Sequence, residues 1–200
     1  MDRDDVTLER DETLHRGFYR MARLHLRHRL FDGGTSPTVD REVVLHGRVA
    51  VIVPYDPVRD EVVLLEQFRV GKYAAGDPKP WSVSVAAGMI EDGESAADMA
   101  RRETLEETGC TVGRLEEVLA FYASPGGSSQ HVTLFCGEVS SEGIDGFYGV
   151  AEEGEDIRAF AVSANDAFAM IDTGEIDNAV SIVGLQWLWR NRDDVRRRWT

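Results

Sequence analysis

The sequence predicts an α/β domain, a mixed sheet with helices on its faces, preceded by a smaller β region. Three observations predict it. The β-branched and aliphatic runs RVAVIVPY and EVVLLEQF, at 48–55 and 61–68, are joined by the turn DPVRD and form a hairpin signal. A single capped helical stretch follows at 95–109. Two further helical patterns close the chain after the strand-like run IRAFAV.

Residues 1–12 are charged and expected to fray. From 13 to 30, Tyr19, Met21, Leu24, Leu26 and Leu30 alternate in part with basic residues and predict strands. FDGGTSP is a turn, and 39–45 is a further strand. These segments set a boundary between an N-terminal β region, 1–45, and a larger domain, 46–200. KYAAGDPKP reads as a loop, and WSVSVAAG as a strand feeding the helix. LEEVLAFY and HVTLFCGEV read as strands flanking SPGGSSQ. SEGIDGFYGVAEEGED reads as one long acidic, Gly-rich loop, a length more often functional than idle. Ser163 is expected to cap a helix ending at Gly174. Asp177 or Asn178 should cap the last helix, AVSIVGLQWLWRNR, before the charged tail.

Two hundred residues suit one domain, or one with an appendage. A net charge of −14 argues against nucleic-acid or anionic-membrane partners, which need a basic surface. Phosphorylated ligands remain open if metal ions supply positive charge. The acidic N-terminus has no apolar run of signal-peptide type, and no stretch approaches a membrane span. Cys110 and Cys136 lack metal-ligand spacing and read as small buried hydrophobes in a reducing cytosol, so the expected location is cytoplasmic. His15, His25, His28 and His46 are likewise scattered.

The stretch GMIEDGESAADMARRETLEETGC, 88–110, carries the chemistry. Ser95 is a good N-cap with Asp98 at N3, and Gly109 follows the last turn. Glu103, Glu106 and Glu107 stand at i, i+3 and i+4 and share one face. Seven carboxylates face two arginines over the segment. A plain solvated acidic face is one reading of such a helix. A site for a hard divalent cation is the sharper one, because carboxylate oxygens suit Mg²⁺ or Mn²⁺.

This stretch resembles the Nudix box, G-x5-E-x7-R-E-U-x-E-E-x-G-U, in every fixed letter: Gly88, Glu94, Arg102, Glu103, Glu106, Glu107 and Gly109. The two aliphatic U positions depart, with Thr104 and Cys110, which touches packing more than chemistry. The resemblance implies a Nudix α/β/α sandwich and hydrolysis of a diphosphate linked to another group. Over about 13–190 the chain is similar to the bacterial ADP-ribose pyrophosphatase branch. It shares Pro125 fifteen residues after Cys110 and the loop E-x-E-D-I-R at 153–158.

That resemblance implies cleavage of ADP-ribose to AMP and ribose 5-phosphate. It implies two or three Mg²⁺, or Mn²⁺, on the Ala87 carbonyl and on Glu103, Glu106, Glu107 and Glu155. The cations would screen the diphosphate and acidify the attacking water. Glu106 and Glu107 thus count as catalytic with Glu153, the implied base. The pair Glu94 and Arg102 would brace the loop against the helix. Arg69 would grip the diphosphate or terminal ribose. The N-terminal β region would build a homodimer, lending Arg41 from the partner, and Phe18 could stack on adenine. Surface or packing roles are the plainer readings of Arg41, Arg69 and Phe18. Gln130 stands where the branch often has a sugar-contacting glutamate; a carboxamide still bonds a hydroxyl but leaves the sugar open. GDP-mannose, NADH and a non-catalytic nucleotide-sugar sensor are the alternatives. A purely structural protein would leave the acidic face unexplained, and no G-x-S-x-G nucleophile motif is present.

Overall fold

The computed structural model describes residues 1–200, with the side chain of Glu153 alone outside the described residues. The chain divides into two compact units. One is Met1–Arg48 with Tyr122–His131, the other Val49–Phe121 with Val132–Thr200.

The first unit is a three-stranded antiparallel sheet in the order β1 (Val6–Arg16), β2 (Arg20–His28), β3 (Val39–Leu45). β1 overturns the expectation that residues 1–12 fray, since Val6–Glu12 pairs with β2 in a register running from Val6 opposite His28 to Arg16 opposite Arg20. The polarity that suggested fraying serves cross-strand pairing instead. Glu9 meets Arg27 at 2.7 Å, Asp11 meets Arg20, and Glu12 meets His25 at 3.4 Å. Exposed pairs of this kind contribute up to about 1 kcal/mol each, so the backbone ladder does most of the holding. Gly127, in the turn after Pro125, accepts the Val44 N–H at 2.9 Å, and the Ser129 N–H returns to the Val44 carbonyl at 3.0 Å.

The second unit is built on a sheet ordered β10 (Asp145–Tyr148), β11 (Ile157–Ser163), β5 (Glu61–Phe68), β4 (Arg48–Asp56), β9 (His131–Glu138), β8 (Leu115–Tyr122). Its β4–β5 hairpin turns at Asp56, a buried carboxylate that accepts the N–H groups of Val58 and Arg59, both at 2.9 Å. Beyond Tyr55–Val62 the two strands part. The expected strand WSVSVAAG fills the gap as two pieces broken at Val85. β6 (Trp81–Ser84) pairs with β5, and β7 (Ala86–Met89) pairs with β4.

Helices cover both faces of this sheet. On one, Met99 and Ala100 of α2 (Ala96–Thr108) pack with Ala50, Ile52, Val63, Leu65, Ala86, Ile157 and Ala159. On the other, α3 (Ala164–Asp172) precedes α4 (Ala179–Trp199), whose Gly184 leaves no room for a Cβ, which would stand 2.7 Å from Val53. This is the α/β/α sandwich the sequence predicted.

Four expectations were too coarse. The loop after Phe68 opens with a short helix, α1 (Val70–Ala74), that buries nothing. The 141–156 segment contains β10, an edge strand of four residues hidden by its glycines. The feeding strand is broken at Val85, as described. The last helix runs through the charged tail, because Val195 and Trp199 are buried one turn apart and Arg196 donates to the Pro57 carbonyl at 3.0 Å. Arg196, Arg197 and Arg198 also suit a helix C-terminus.

The N-terminus of α4 fixes the strand break. Asn178 caps the helix and donates to the Val83 carbonyl at 2.8 Å. The Ser181 hydroxyl, fully buried, accepts the Val85 N–H at 3.1 Å. Ser181→Ala leaves that buried N–H unpaired, so it should cost about 1–3 kcal/mol and lower the melting temperature by several degrees. Unchanged melting by calorimetry would show that Val85 is satisfied some other way.

Candidate active site

Helix α2 begins as expected. The Ser95 hydroxyl accepts the Asp98 N–H at 3.1 Å, and Gly109 ends the helix in the left-handed region at φ 73°. A side chain at Gly109 would also run into Tyr148 of β10, 2.7 Å away. Thr104 and Cys110, the two departures from the box, are both buried. The Thr104 hydroxyl is satisfied by the Ala100 carbonyl at 2.6 Å, so a polar residue fits a packing position.

Arg102 organises the acids. Its Nε and Nη2 form a fork on Glu94, at 3.0 and 3.2 Å, and hold that carboxyl below its ordinary range. Its Nη1 donates to Glu103 at 2.9 Å and to Glu106 at 3.1 Å. Glu94 also accepts the Glu91 N–H at 3.1 Å, which ties the loop 91–94 to the helix.

Glu103 and Glu107 point inward against β7. A Cβ on Gly88 would lie 2.0 Å from Glu103 Oε1 and 2.7 Å from its Cγ, so this close approach requires glycine. Glu107 is 2% exposed, and its Oε2 accepts the Ala87 N–H at 3.2 Å. Burial pushes the Glu103 carboxyl up to about 7, against the pull of Arg102 and with the charges of Glu106 and Glu155 adding to the rise. Burial, then the charge of Glu103, pushes Glu107 up to about 8, although Ala87 and Arg69 oppose the rise.

Glu155 therefore lies near enough to act on both. Its carboxylate accepts the Val150 N–H at 3.1 Å, and the adjoining Gly149 N–H donates to the Glu106 carbonyl at 3.2 Å. The structure thus brings together Ala87, Glu103, Glu106, Glu107, Glu155 and Arg69. Glu153 closes a 3₁₀ turn at Ala151–Glu153, but its side chain lies outside the described residues. Phe18, Arg41 and Gln130 lie in the first unit. Phe18 is 82% exposed in the β1–β2 turn, edge-on to Tyr19, and Arg41 donates to the Asp40 carbonyl at 2.8 Å. The Gln130 N–H donates to the Ser128 hydroxyl at 3.1 Å. Tyr148, which shapes the site by packing on Gly109, was missed, because four residues of strand give little periodicity to read.

Among the described residues no three acidic, His or Cys side chains are placed to hold an ion as they stand. Arg102 now occupies the oxygens of Glu103 and Glu106. The donor set nevertheless suits a hard cation: it is all oxygen, partly buried, and carries more negative charge than its surroundings neutralise.

A pH dependence follows. A carboxyl whose folded pKa exceeds the unfolded value of about 4.3 favours folding most at low pH, and that contribution is lost as pH rises through the folded value. For Glu103 and Glu107 the window is about pH 4 to about 8. Without metal, Glu107→Gln should match the wild type in melting at pH 4 and exceed it at pH 8.5, by on the order of 1–3 kcal/mol. Equal melting at pH 8.5 would mean that Glu107 carries no buried charge.

A NUDIX domain model matches residues 45–182. The chain is 45% identical over 197 residues to an ADP-ribose pyrophosphatase of Escherichia coli strain K12, spanning 98% of this chain and 94% of that one. It is 39% identical over 199 residues to the ADP-ribose pyrophosphatase of Haemophilus influenzae, spanning 98% and 91%. A GDP-mannose pyrophosphatase of an Enterobacter species is 34% identical over 148 residues, spanning 74% and 76%. A crystal structure described as an ADP compounds hydrolase shares the fold, with a TM-score of 0.73 at 18% identity over 96% of this chain and 97% of that one. With the box intact, its glutamates gathered on one helix face and a domain match over most of the length, the chain belongs to the Nudix hydrolase family.

Proposed function

We propose that the chain hydrolyses the diphosphate of ADP-ribose in a metal-dependent reaction, giving AMP and ribose 5-phosphate. One observation carries the reaction class: the buried Glu107 and the half-buried Glu103, one turn apart on α2, lie against the Ala87 N–H and Gly88, with Glu106 held beside them by Arg102. The choice of substrate leans on the relatives. Those named for ADP-ribose align over 98% of this chain, those named for GDP-mannose over about three-quarters.

In this reading Glu103, Glu106, Glu107, Glu155 and the Ala87 carbonyl hold two or three Mg²⁺, with Mn²⁺ an alternative. The cations supply the positive charge that lets a diphosphate of about two negative charges enter, and they acidify the attacking water. Arg102 keeps the loop 91–94 against the helix. Arg69, on the same side as Glu107, grips the diphosphate. Glu153 takes the proton from the attacking water. Residues 1–45 build a homodimer in which Arg41 serves the partner's substrate, Phe18 stacks on adenine, and Gln130 bonds a sugar hydroxyl. The two unpaired thiols, Cys110 and Cys136, suit a cytoplasmic location.

The deciding experiment is hydrolysis of ADP-ribose with Mg²⁺, compared with GDP-mannose and NADH. ADP-ribose should give the highest kcat/KM, and preference for either rival would replace the substrate. Glu106→Gln should abolish measurable turnover, leave melting in EDTA unchanged or slightly raised, and shrink the stabilisation by Mg²⁺. Near-wild-type turnover would remove Glu106 from the metal set. In the same assay Glu153→Gln should lower kcat by about 10²–10⁴, while Glu152→Gln stays near wild type. Equal small losses would place the base elsewhere.

Light scattering at micromolar concentration should give twice the chain mass. A stable monomer would remove the trans role of Arg41.

A further inference from the structure

Two polar groups in the second unit have no hydrogen-bond partner among the described residues, the buried amide nitrogen of Gln67 and the hydroxyl of Ser84. Ser84 is 3% exposed. Folded proteins keep few such groups, because each forfeits its hydrogen bond to water without replacement.

Both lie on the sheet face that meets α2. Leu65 belongs to the core cluster with Met99 and Ala100, and it stands directly opposite Ser84. Two residues along β5, Gln67 stands opposite Ser82 on one side and Ile157, of the same cluster, on the other. Strand alternation then carries the row to Arg69, whose charge reaches Glu107. Gln67 and Ser84 are diagonal neighbours, roughly 7–8 Å apart at the backbone, within reach of a long side chain.

We propose that Gln67 is a further substrate-contact residue, donating one amide N–H to a phosphoryl oxygen of the bound diphosphate beside Arg69 and the other to the Ser84 hydroxyl. The inference rests on the diphosphate-hydrolase reading above. It satisfies both orphaned groups with one side-chain adjustment. A carboxamide has two N–H donors, and Ser84 can accept only one of them in this position. The second N–H has no partner among the described residues, so it is left for an acceptor that the substrate brings.

The test uses full-length wild type, Gln67→Leu and Ser84→Ala. Hydrolysis of ADP-ribose, GDP-mannose and NADH is measured with Mg²⁺, and melting of each protein without substrate. On whichever diphosphate the wild type hydrolyses, Gln67→Leu should lose about ten- to a hundredfold in kcat/KM, the range for a hydrogen bond to a charged group. Its melting temperature should stay level or rise, because an unpaired donor has been removed. Ser84→Ala should lose about two- to tenfold with melting level or higher. Wild-type kcat/KM in Gln67→Leu overturns the proposal and leaves a merely hydrated amide. Lost activity with lowered melting also overturns it, marking Gln67 as structural. A wild type that hydrolyses only GDP-mannose or NADH overturns the ADP-ribose reading, with Gln67 then judged on that substrate. A wild type inactive on all three overturns both.

Discussion

The removal from water of two carboxyls one turn apart, Glu103 and Glu107, is the constraint on which the rest of the second unit depends. Glu107 is almost wholly buried beside the half-buried Glu103, and burial pushes both carboxyls up. Such an arrangement persists only where the surrounding structure over-determines it. The restraints are visible. Gly88 lets Glu103 lie against the β7 backbone, Ala87 gives Glu107 one N–H, and the Arg102–Glu94 fork pins the entering loop. The core behind α2, with Met99 and Ala100 fully buried, prevents the helix from turning the acids outward.

The sheet contributes by splitting. If β4 and β5 stayed paired along their whole length, no strand edge would be free for β6 and β7. Because they part after Tyr55–Val62, β7 reaches β4 and brings Ala86–Met89 under the acidic helix. The break at Val85 is held from the opposite face, by Ser181 and Asn178 of α4. The acidic side of the sheet is thus positioned in part by a helix that contributes no acid to it, which links packing on one face to geometry on the other.

The parts of this arrangement differ in how far the sequence reveals them. Helix α2 was fully legible, because Ser95, the i, i+3, i+4 glutamates and Gly109 are local signals and the fold obeys them. The core strands 48–55 and 61–68 were legible for the same reason, being long apolar runs. Val6–Glu12 was not: its side chains pair across strands with Arg27, Arg20 and His25, and such partners are invisible to a reading along one segment. The break at Val85 was hidden because its cause, Ser181, lies 96 residues away. Tyr148 and Gln67 were hidden because a short strand, or one polar residue at its end, carries too little periodicity to assign a face. The acids of the site were legible as a motif, but the rise of Glu107 comes from burial by the whole fold.

Arg102 shows how the crowded acids are tolerated and still remain available. Its guanidinium has two independent sides. Nε and Nη2 serve Glu94, while Nη1 alone bridges Glu103 and Glu106. In the proposed reaction the oxygens now bonded to Nη1 are the ones a cation would claim. Giving them up leaves the Glu94 fork untouched, so the loop 91–94 stays fixed while the carboxylates change partner. A lysine at this position would have one ammonium for all three acids and no rigid fork to divide among them. The guanidinium therefore separates bracing from charge compensation within a single side chain. That separation lets the helix carry three clustered glutamates without sacrificing the loop that frames them.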